Sequence, residues 1–187
     1  MGRWTRQELE EAFEKYQEVA LKAFTSGNFD LWVDLFTEDC TYVEHHYGTF
    51  GGREAIKRYI TLANGTYPAS EMKYFPIEWY IIDEERGWVV ACVWNRMTDP
   101  GDGSIHQEAN WMLLKYAGHG QWKYEEDIYN PTEFGYMMAG WENAKERTGL
   151  GRNPKPAKHR TQRQGLSVST AFYVNTTDSV RNSMIQV

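Results

Sequence analysis

Apolar side chains recur every three or four residues near the start of the chain, at Leu9, Phe13, Tyr16, Val19, Ala20 and Phe24. This spacing is typical of an amphipathic helix with one buried face. Thr5 and Glu8 form a capping box, which marks the first turn of a helix, and Gly27 is the residue type that most often follows the last turn. The pattern therefore predicts a first helix between Thr5 and Gly27.

The next apolar run predicts a second, shorter helix over residues 29–36 that ends near Asp39 and forms a hairpin with the first. A short strand is predicted from Cys40 to Glu44, followed by a glycine-rich turn at residues 48–52. The turn leads into a third helix from Arg53 to about Leu62. Three helices and one strand are thus expected in the first third of the chain.

From residue 72 onward the pattern changes to that of strands. Segments rich in aromatic and β-branched residues are separated by short turns containing glycine, and they cover residues 74–83, 88–97, 105–116 and 122–128. A closing helix is predicted from Glu133 to Arg147, with Gly149 after its last turn. The order predicts an α+β fold in which a curved antiparallel sheet wraps around three N-terminal helices and leaves a cavity for a ligand.

The charge of the chain is unevenly distributed. Six of the 20 Lys and Arg residues but only one of the 26 acids lie in residues 150–187, which leaves 14 basic and 25 acidic residues and a formal charge of −11 in residues 1–149. An acidic domain of this kind is not expected to bind nucleic acid. We expect one domain over residues 1–149 and a basic, proline-containing linker with a poorly ordered tail over residues 150–187.

Composition narrows the class of protein further. Aromatic residues make up 15% of the chain, more ring surface than a core of this size needs, so some of it is expected to line a cavity or a contact in a homodimer. Cys40 and Cys92 lack metal or redox spacing and are expected to be reduced. No stretch reaches about 18 uninterrupted apolar residues, so no membrane span is expected and a cytoplasmic location follows by default.

Two segments carry a resemblance to a known family. Residues 36–48 (FTEDCTYVEHHYG) and residues 50–56 (FGGREAI) resemble the part of SnoaL-like, or nuclear-transport-factor-2-like, proteins that joins the second helix, the first strand and the third helix. The order of elements over about residues 5–145 is similar as well. The resemblance implies a cone-shaped α+β barrel. Its superfamily includes polyketide cyclases, ketosteroid isomerases, dehydratases, epoxide hydrolases and proteins that only bind ligands, so the function must be argued from the site.

The resemblance suggests two catalytic residues. In the ketosteroid isomerases of this superfamily the general base lies at the end of the first strand, at the position that His45 fills here. An imidazole with a pKa near neutrality can accept a proton, although a His-His pair is also often only solvated. Many SnoaL-like cyclases use an acid on a late strand, and Asp127 is the nearest equivalent. Glu126 precedes it on the opposite face and is the alternative, because only one of the two can serve. Ala20 stands where the isomerases place an oxyanion-hole Tyr, which disfavours a steroid isomerase.

Five further residues are predicted to bind the substrate: Tyr16, Tyr42, Asn95, His106 and Asn110. Tyr16 lies one turn before Ala20 and can donate a hydrogen bond, but it can equally be a core aromatic residue. The other polar residues lie on otherwise apolar rows of predicted strands, where a polar group fixes the orientation of a ligand. The alternative is that these rows form an exposed sheet face or a dimer contact.

The preferred hypothesis is a small-molecule enzyme without a metal or an organic cofactor. It would carry out proton transfer of the cyclase, isomerase or dehydratase type on a hydrophobic carbonyl compound. The first alternative is a non-catalytic ligand-binding or dimerisation module, whose aromatic sheet face pairs two subunits. The second is the small subunit of a ring-hydroxylating dioxygenase, which needs a large partner chain.

Overall fold

A computed structural model describes residues 3–150 of the chain. The four helices are α1 (Arg6–Ser26), α2 (Asp30–Val33), α3 (Arg53–Asn64) and α4 (Pro131–Arg147). The seven strands are β1 (Phe36–Glu44), β2 (Gly48–Gly51), β3 (Met72–Tyr74), β4 (Ile77–Asp83), β5 (Trp88–Met97), β6 (Gln107–Gly118) and β7 (Gln121–Ile128). A single 3-10 turn (Ala69–Glu71) precedes β3. The predicted linker and tail lie outside the described residues.

Helix α1 begins and ends where its sequence predicts. The Thr5 hydroxyl accepts a hydrogen bond of 3.1 Å from the backbone N–H of Glu8. Gly27 has a φ of 75°, and its N–H donates to the Ala23 carbonyl at 2.8 Å. That left-handed conformation favours glycine because it has no Cβ. Removing the Thr5 cap would leave backbone donors of the first turn without partners.

The second helix is shorter than predicted, because its sequence forms part of the sheet instead. Only four residues are helical, and the chain is already a strand at Phe36. Phe36 is fully buried, and next to it the N–H of Trp122 donates to the Leu35 carbonyl at 2.8 Å. Pairing with β7 and burial of Phe36 outweigh the helical spacing of this short segment.

The sheet is curved and mixed, with the strand order β2-β1-β7-β6-β5-β3 and with β4 also paired to β5. Five of the neighbouring pairs are antiparallel, as expected. The pair of β1 and β7 is parallel, which corrects the prediction of an entirely antiparallel sheet. This pairing joins the N-terminal part of the chain to the last strand. It aligns the ends of β1 and β7 side by side, and the candidate site lies there.

Two predicted strands differ in their bounds. The segment 74–83 divides into β3 and β4 at Phe75-Pro76, because proline cannot donate a ladder hydrogen bond. The Pro76 carbonyl still accepts from the Trp94 N–H at 2.9 Å. Strand β6 was predicted to begin at Ile105, and it begins at Gln107. Neither change moves the residues that face the helices.

The main core lies between the concave face of the sheet and helices α1 to α3. Phe13, Phe36, Ile56, Val89 and Leu114 are among the side chains buried there. A second cluster holds α4 against the sheet, and its buried members are Met97, Phe134, Met137 and Trp141. The indole N–H of Trp141 donates to the Thr98 carbonyl at 2.7 Å. Helix α4 thus covers one end of the space between sheet and helices.

The convex face of the sheet carries exposed apolar side chains. Trp79, Cys92, Trp111 and Ile128 are register partners across β4, β5, β6 and β7. The rings of Trp79 and Trp111 meet edge to face with centroids 5.6 Å apart, and Trp111 is 57% exposed. In residues 3–150, no helix is long and apolar enough to cross a membrane.

Candidate active site

A cavity of about 160 Å³ lies between α1, α3, α4 and the concave face of the sheet. Most of its lining is apolar and aromatic. Three carboxyl groups face it as well, from Glu44, Glu125 and Asp127. An apolar cavity of this size is large enough for a ring such as benzene. A few convergent polar groups in such a cavity are typical of a binding or active site.

The strands determine how the three acids meet. Glu125 and Asp127 are two residues apart on β7, so both side chains point to the concave face. The parallel pairing places Tyr42 of β1 beside Glu125 and Glu44 beside Asp127. Neighbouring strands are about 4.8 Å apart, so these four side chains form one compact group.

Asp127 is held by two hydrogen-bond donors. The Tyr42 hydroxyl donates to Oδ2 at 2.5 Å, and Asn110 Nδ2 donates to Oδ1 at 2.6 Å. Burial raises the pKa of Asp127 above its ordinary value, while the bonds from Tyr42 and Asn110 lower it. Donors aimed at both oxygens stabilise the ionised form of a carboxyl group. These two donors offset part of the cost of ionising Asp127, an offset that Glu125 obtains from only one donor.

Glu125 is in a different environment. Its two oxygens share one donor, the Tyr16 hydroxyl, at 2.9 Å from each. Burial and the nearby charge of Asp127 raise the pKa of Glu125 well above its usual range. Burial and the neighbouring acids also raise the pKa of Tyr16 and of Tyr42 well above 10, so both phenols remain donors. Of the two acids on β7, Glu125 is thus the one whose surroundings favour the protonated form more strongly.

Glu44 is the third acid and is only 1% exposed. Its Oε2 accepts from the backbone N–H of Tyr47 at 2.9 Å, which ties the carboxyl group to the turn between β1 and β2. Burial raises the pKa of Glu44 to about 6, while hydrogen bonds from Tyr129 and the turn oppose that rise. At neutral pH, Glu44 is ionised for most of the time.

The arrangement combines a proton acceptor and a proton donor in one cavity. Two carboxyl groups whose surroundings push their pKa values apart can act as a base and an acid at the same pH. Here Asp127 can accept a proton and Glu125 can donate one, and both face a space closed off by aromatic rings. Low polarity around such a pair strengthens each of its hydrogen bonds.

The structure brings together five of the seven residues that the sequence predicts for the site. They all line the cavity and are buried: Tyr16, Tyr42, Asn95, Asn110 and Asp127. Asn95 lies on β5 and has no hydrogen-bond partner for Nδ2 within the described part of the chain. Whether these residues bind a substrate remains a prediction, but their positions fit that role.

The two predicted histidines lie elsewhere. His45 follows Glu44 and points to the convex face, where its side chain is 58% exposed and its Nε2 lies 2.8 Å from Glu126 Oε1. His106 lies just before β6, 3.0 Å from the Ser104 hydroxyl and against Gly140 of α4. Neither lines the cavity. The position of His45 gives no support to its expected role as the general base.

Sequence reasoning missed Glu125 and Glu44 as site residues. Alternation along β1 places Glu44 on the same face as Tyr42, but the resemblance pointed to His45 at the end of that strand. The signal for Glu125 is that it lies two residues before Asp127 on β7 and so shares its face. A bulge earlier in β7 does not affect that relation. Lys115 pairs with Tyr124 while Tyr116 pairs with Trp122, so Lys123 is an extra residue in the ladder. The bulge puts Trp122 and Glu125 on the same face.

No group of three or more His, Cys, Asp or Glu side chains within residues 3–150 is arranged to hold a metal ion. The three cavity acids instead contact phenol, amide and backbone donors. These contacts suit the transfer of protons to and from the carboxyl groups.

The raised pKa of Glu44 predicts a dependence of stability on pH. Its pKa is about 6 in the native state against an ordinary value of 4.5, so the native chain keeps a proton that the unfolded chain has already lost. The free energy of unfolding should therefore fall as the pH rises from about 4.5 to 6, and Glu44 contributes about 2 kcal/mol to that fall. Urea unfolding of Glu44→Gln across this range should show a shallower fall, and an unchanged one would contradict the assignment.

Comparisons with known proteins agree with this geometry. A family model described as a SnoaL-like domain matches residues 17–113, more than half of the chain. No curated protein matches the sequence significantly.

Solved structures share the fold at low sequence identity. A protein with a ketosteroid isomerase-like fold from Catenulispora acidiphila, in complex with trimethylamine, is 19% identical and has a TM-score of 0.54, covering 67% of this chain and 92% of that one. A candidate polyketide cyclase from Xanthomonas campestris is 19% identical with a TM-score of 0.52. The match covers 73% of this chain and 98% of that one. A third structure is SalBIII, an epoxide hydrolase/cyclase-like enzyme in pyran ring formation of salinomycin. It is 15% identical with a TM-score of 0.51, and the match covers 68% of this chain and 94% of that one.

The family match covers most of the helices and strands that build the cavity, but β7 and α4 lie beyond it. The family match begins within α1, at the turn that carries Tyr16, and ends in β6, after Asn110. The chain belongs to the SnoaL-like domain family.

Proposed function

We propose that the protein is an enzyme that transfers a proton on a small hydrophobic carbonyl compound, with Asp127 as the base and Glu125 as the acid. The observation that carries this proposal is the pair of unlike carboxyl environments in one cavity. Asp127 accepts two hydrogen bonds, whereas Glu125 is buried with a single phenol. Isomerase, cyclase and dehydratase chemistry all begin with such a step.

The proton transfer can be written for a ketone in the cavity. The Asp127 carboxylate takes a proton from the carbon next to the carbonyl group, and the electron pair of that C–H bond forms the enol double bond. The C=O π electrons move to the oxygen, Glu125 transfers its proton there, and the neutral enol remains with Asp127 protonated and Glu125 ionised. Tyr16 and Tyr42 keep their protons and hold the two acids in place. Reversal of the step returns a proton from Asp127 to carbon.

The size of the cavity limits the substrate. A volume of about 160 Å³ suits a molecule with one ring or a short branched chain, rather than a polycyclic compound. SalBIII acts in pyran ring formation, and the Catenulispora protein binds trimethylamine. Small ligands in proteins of this fold support a small-molecule role here.

Exchange of hydrogen for deuterium tests the proposal without knowledge of the natural substrate. Cyclohexanone and acetophenone are incubated with the full chain in D₂O, and the loss of their α-proton signals is followed by ¹H NMR. The proposal expects exchange faster than in buffer alone. Binding of these ketones without exchange would favour the alternative, a ligand-binding module without catalysis.

The convex face of the sheet supports a further proposal, that the protein is a homodimer. The apolar row of Trp79, Trp111 and Ile128 is exposed in the single chain, and exposed patches of this kind mark interaction sites. A second copy of the chain would cover it by a two-fold contact. The molar mass in solution from light scattering tests this, and an obligate need for a different large chain would favour the dioxygenase small-subunit alternative.

His45→Ala is expected to leave the exchange rate within about twofold of the wild type, because His45 lies outside the cavity. The variant loses its contact with Glu126 at the surface, which is a small loss for an exposed pair. The same NMR assay measures the rate. A fall of a hundredfold or more, of the size that removal of a general base causes, would return the catalytic role to His45.

A further inference from the structure

The cavity contains carboxyl groups without a matching cationic side chain among the described residues. Glu44 and Asp127 are register partners on adjacent strands, and each is at least nine-tenths buried. No Lys, Arg or His of the described residues lines the cavity. Buried charges in proteins are normally paired, because their desolvation is costly. In this cavity, a cation on the ligand is what would pair with them.

The rings around the acids favour a cation of a particular kind. Trp32 lies between Tyr16 and Tyr42, with ring centroids 6.3 Å and 6.1 Å from theirs. Tyr59 lies 5.6 Å from Tyr42 on the other side. All four rings line the cavity. Aromatic faces attract cations with apolar substituents, such as alkylammonium groups, more readily than small hydrated ions because less water has to be removed.

A polar atom without a partner provides an independent indication. Asn110 is 7% exposed and lines the cavity, and its Nδ2 is used by Asp127. Its Oδ1 has no hydrogen-bond partner within residues 3–150. An amide oxygen accepts hydrogen bonds and cannot donate them. A buried acceptor left unpaired is costly, so the missing partner is a donor brought by the ligand.

Glu44 is the acid that the proposed proton transfer does not use. It is fixed to the turn between β1 and β2 through the Tyr47 N–H, which leaves Asp127 and Glu125 to act as base and acid. An ammonium group beside Glu44 would therefore sit at one end of the cavity, while a carbonyl group of the same molecule reaches the other two acids.

We infer that the substrate carries a protonated alkylamine. The amine would be bound by the Glu44 carboxyl group, the side-chain amide oxygen of Asn110 and the surrounding aromatic rings. The inference rests on the proposed function for the chemistry at the other end of the molecule. It narrows the substrate class to small amine-bearing carbonyl compounds, and Glu44 becomes the residue that determines specificity.

The test compares two molecules of nearly the same shape. N,N-dimethylethanolamine is a cation at pH 7 with one N–H donor, and 3-methylbutan-1-ol is its neutral counterpart with carbon in place of nitrogen. Their binding to the full chain is measured by ¹H NMR titration, which detects the millimolar affinities expected of ligands with six heavy atoms. We expect the amine to bind about tenfold or more tightly than the alcohol. Equal binding, or tighter binding of the alcohol, would overturn the inference.

Two variants test whether Glu44 is the group that binds the amine. Glu44→Gln keeps an acceptor for the Tyr47 N–H but removes the charge, and it should lower amine affinity about tenfold while alcohol affinity stays the same. Glu126→Gln is the matched control. It removes one negative charge from β7 on the convex face, where Glu126 contacts His45, and should change neither affinity. An equal loss of amine affinity in both variants would mean that only the general acidity of the domain attracts the amine.

The result of the amine-binding test can be distinguished from the result of the α-proton exchange test. Cyclohexanone has no amine, so its α-proton exchange by the wild-type chain tests Asp127 and Glu125 without any contribution from a cation site. Exchange without a preference for the amine would reject the inference and keep the proton-transfer proposal. A preference for the amine without any exchange would reject the proposed reaction and keep the cation site.

Discussion

Asp127→Asn is expected to lower the rate of α-proton exchange by about a hundredfold to ten-thousandfold, the range that a general base contributes. Asn has nearly the same shape and can still meet Tyr42 and Asn110 after a change in amide orientation. It cannot accept a proton at neutral pH, so the loss would be of chemistry rather than of fold. The rate is measured by ¹H NMR in D₂O, with circular dichroism to confirm folding.

The matched control for Asp127→Asn is Glu126→Gln, one residue earlier on the same strand. Glu126 points to the convex face and contacts Tyr124 and His45 there. Its replacement removes a carboxyl group of the same strand without changing the cavity, so the exchange rate should stay close to that of the wild type. A folded Asp127→Asn protein with an unchanged rate would show that another group is the base.

Trp141→Ala is expected to lower the free energy of unfolding by about 3–5 kcal/mol, the cost of emptying a large buried aromatic site. Trp141 is fully buried in the cluster that holds α4 against the sheet. Its removal also leaves the Thr98 carbonyl without the indole donor. Urea unfolding monitored by circular dichroism measures the change.

Tyr136→Ala, on the exposed side of the same helix, is the control for Trp141→Ala. Tyr136 is 68% exposed, and its removal should change the free energy of unfolding by no more than about 0.5 kcal/mol. Equal small effects of both substitutions would mean that α4 contributes little to the stability of the domain. The proposed domain, residues 1–149, would then have to be redrawn to end before α4.

The long elements could be predicted from the sequence because their local signals agree with their tertiary surroundings. Helix α1 has a cap, a steady apolar spacing and a glycine stop, and the structure confirms all three. The segment 34–39 could not be predicted in this way. Its apolar spacing suits a short helix, but the strand pairing with Trp122, far along the chain, determines its conformation.

The site was predictable as far as alternation along the strands holds. Asn95, Asn110 and Tyr42 were found because each lies in register on a regular strand. Glu125 was missed although it lies two residues before Asp127 and shares its face. The extra residue at Lys123 changes only the facing of the residues before it.

The expected base also illustrates a limit of resemblance. His45 occupies the position at the end of the first strand that the isomerases give to their base, yet its side chain points to the convex face. Glu44, one residue earlier, faces the cavity instead. A shift of one residue on a strand moves a side chain to the opposite face, so a similar position in sequence does not carry a catalytic role with it.

The central claim is that one buried carboxyl group of the cavity is neutral and its neighbour ionised at the same pH. A ¹³C NMR titration of carboxyl-labelled protein measures this directly, with Glu125→Gln and Asp127→Asn to assign the two signals. The account predicts that at pH 7 the Glu125 signal is that of a protonated acid and the Asp127 signal that of a carboxylate. Two ionised carboxylates at pH 7, each titrating at its ordinary pKa, would contradict it.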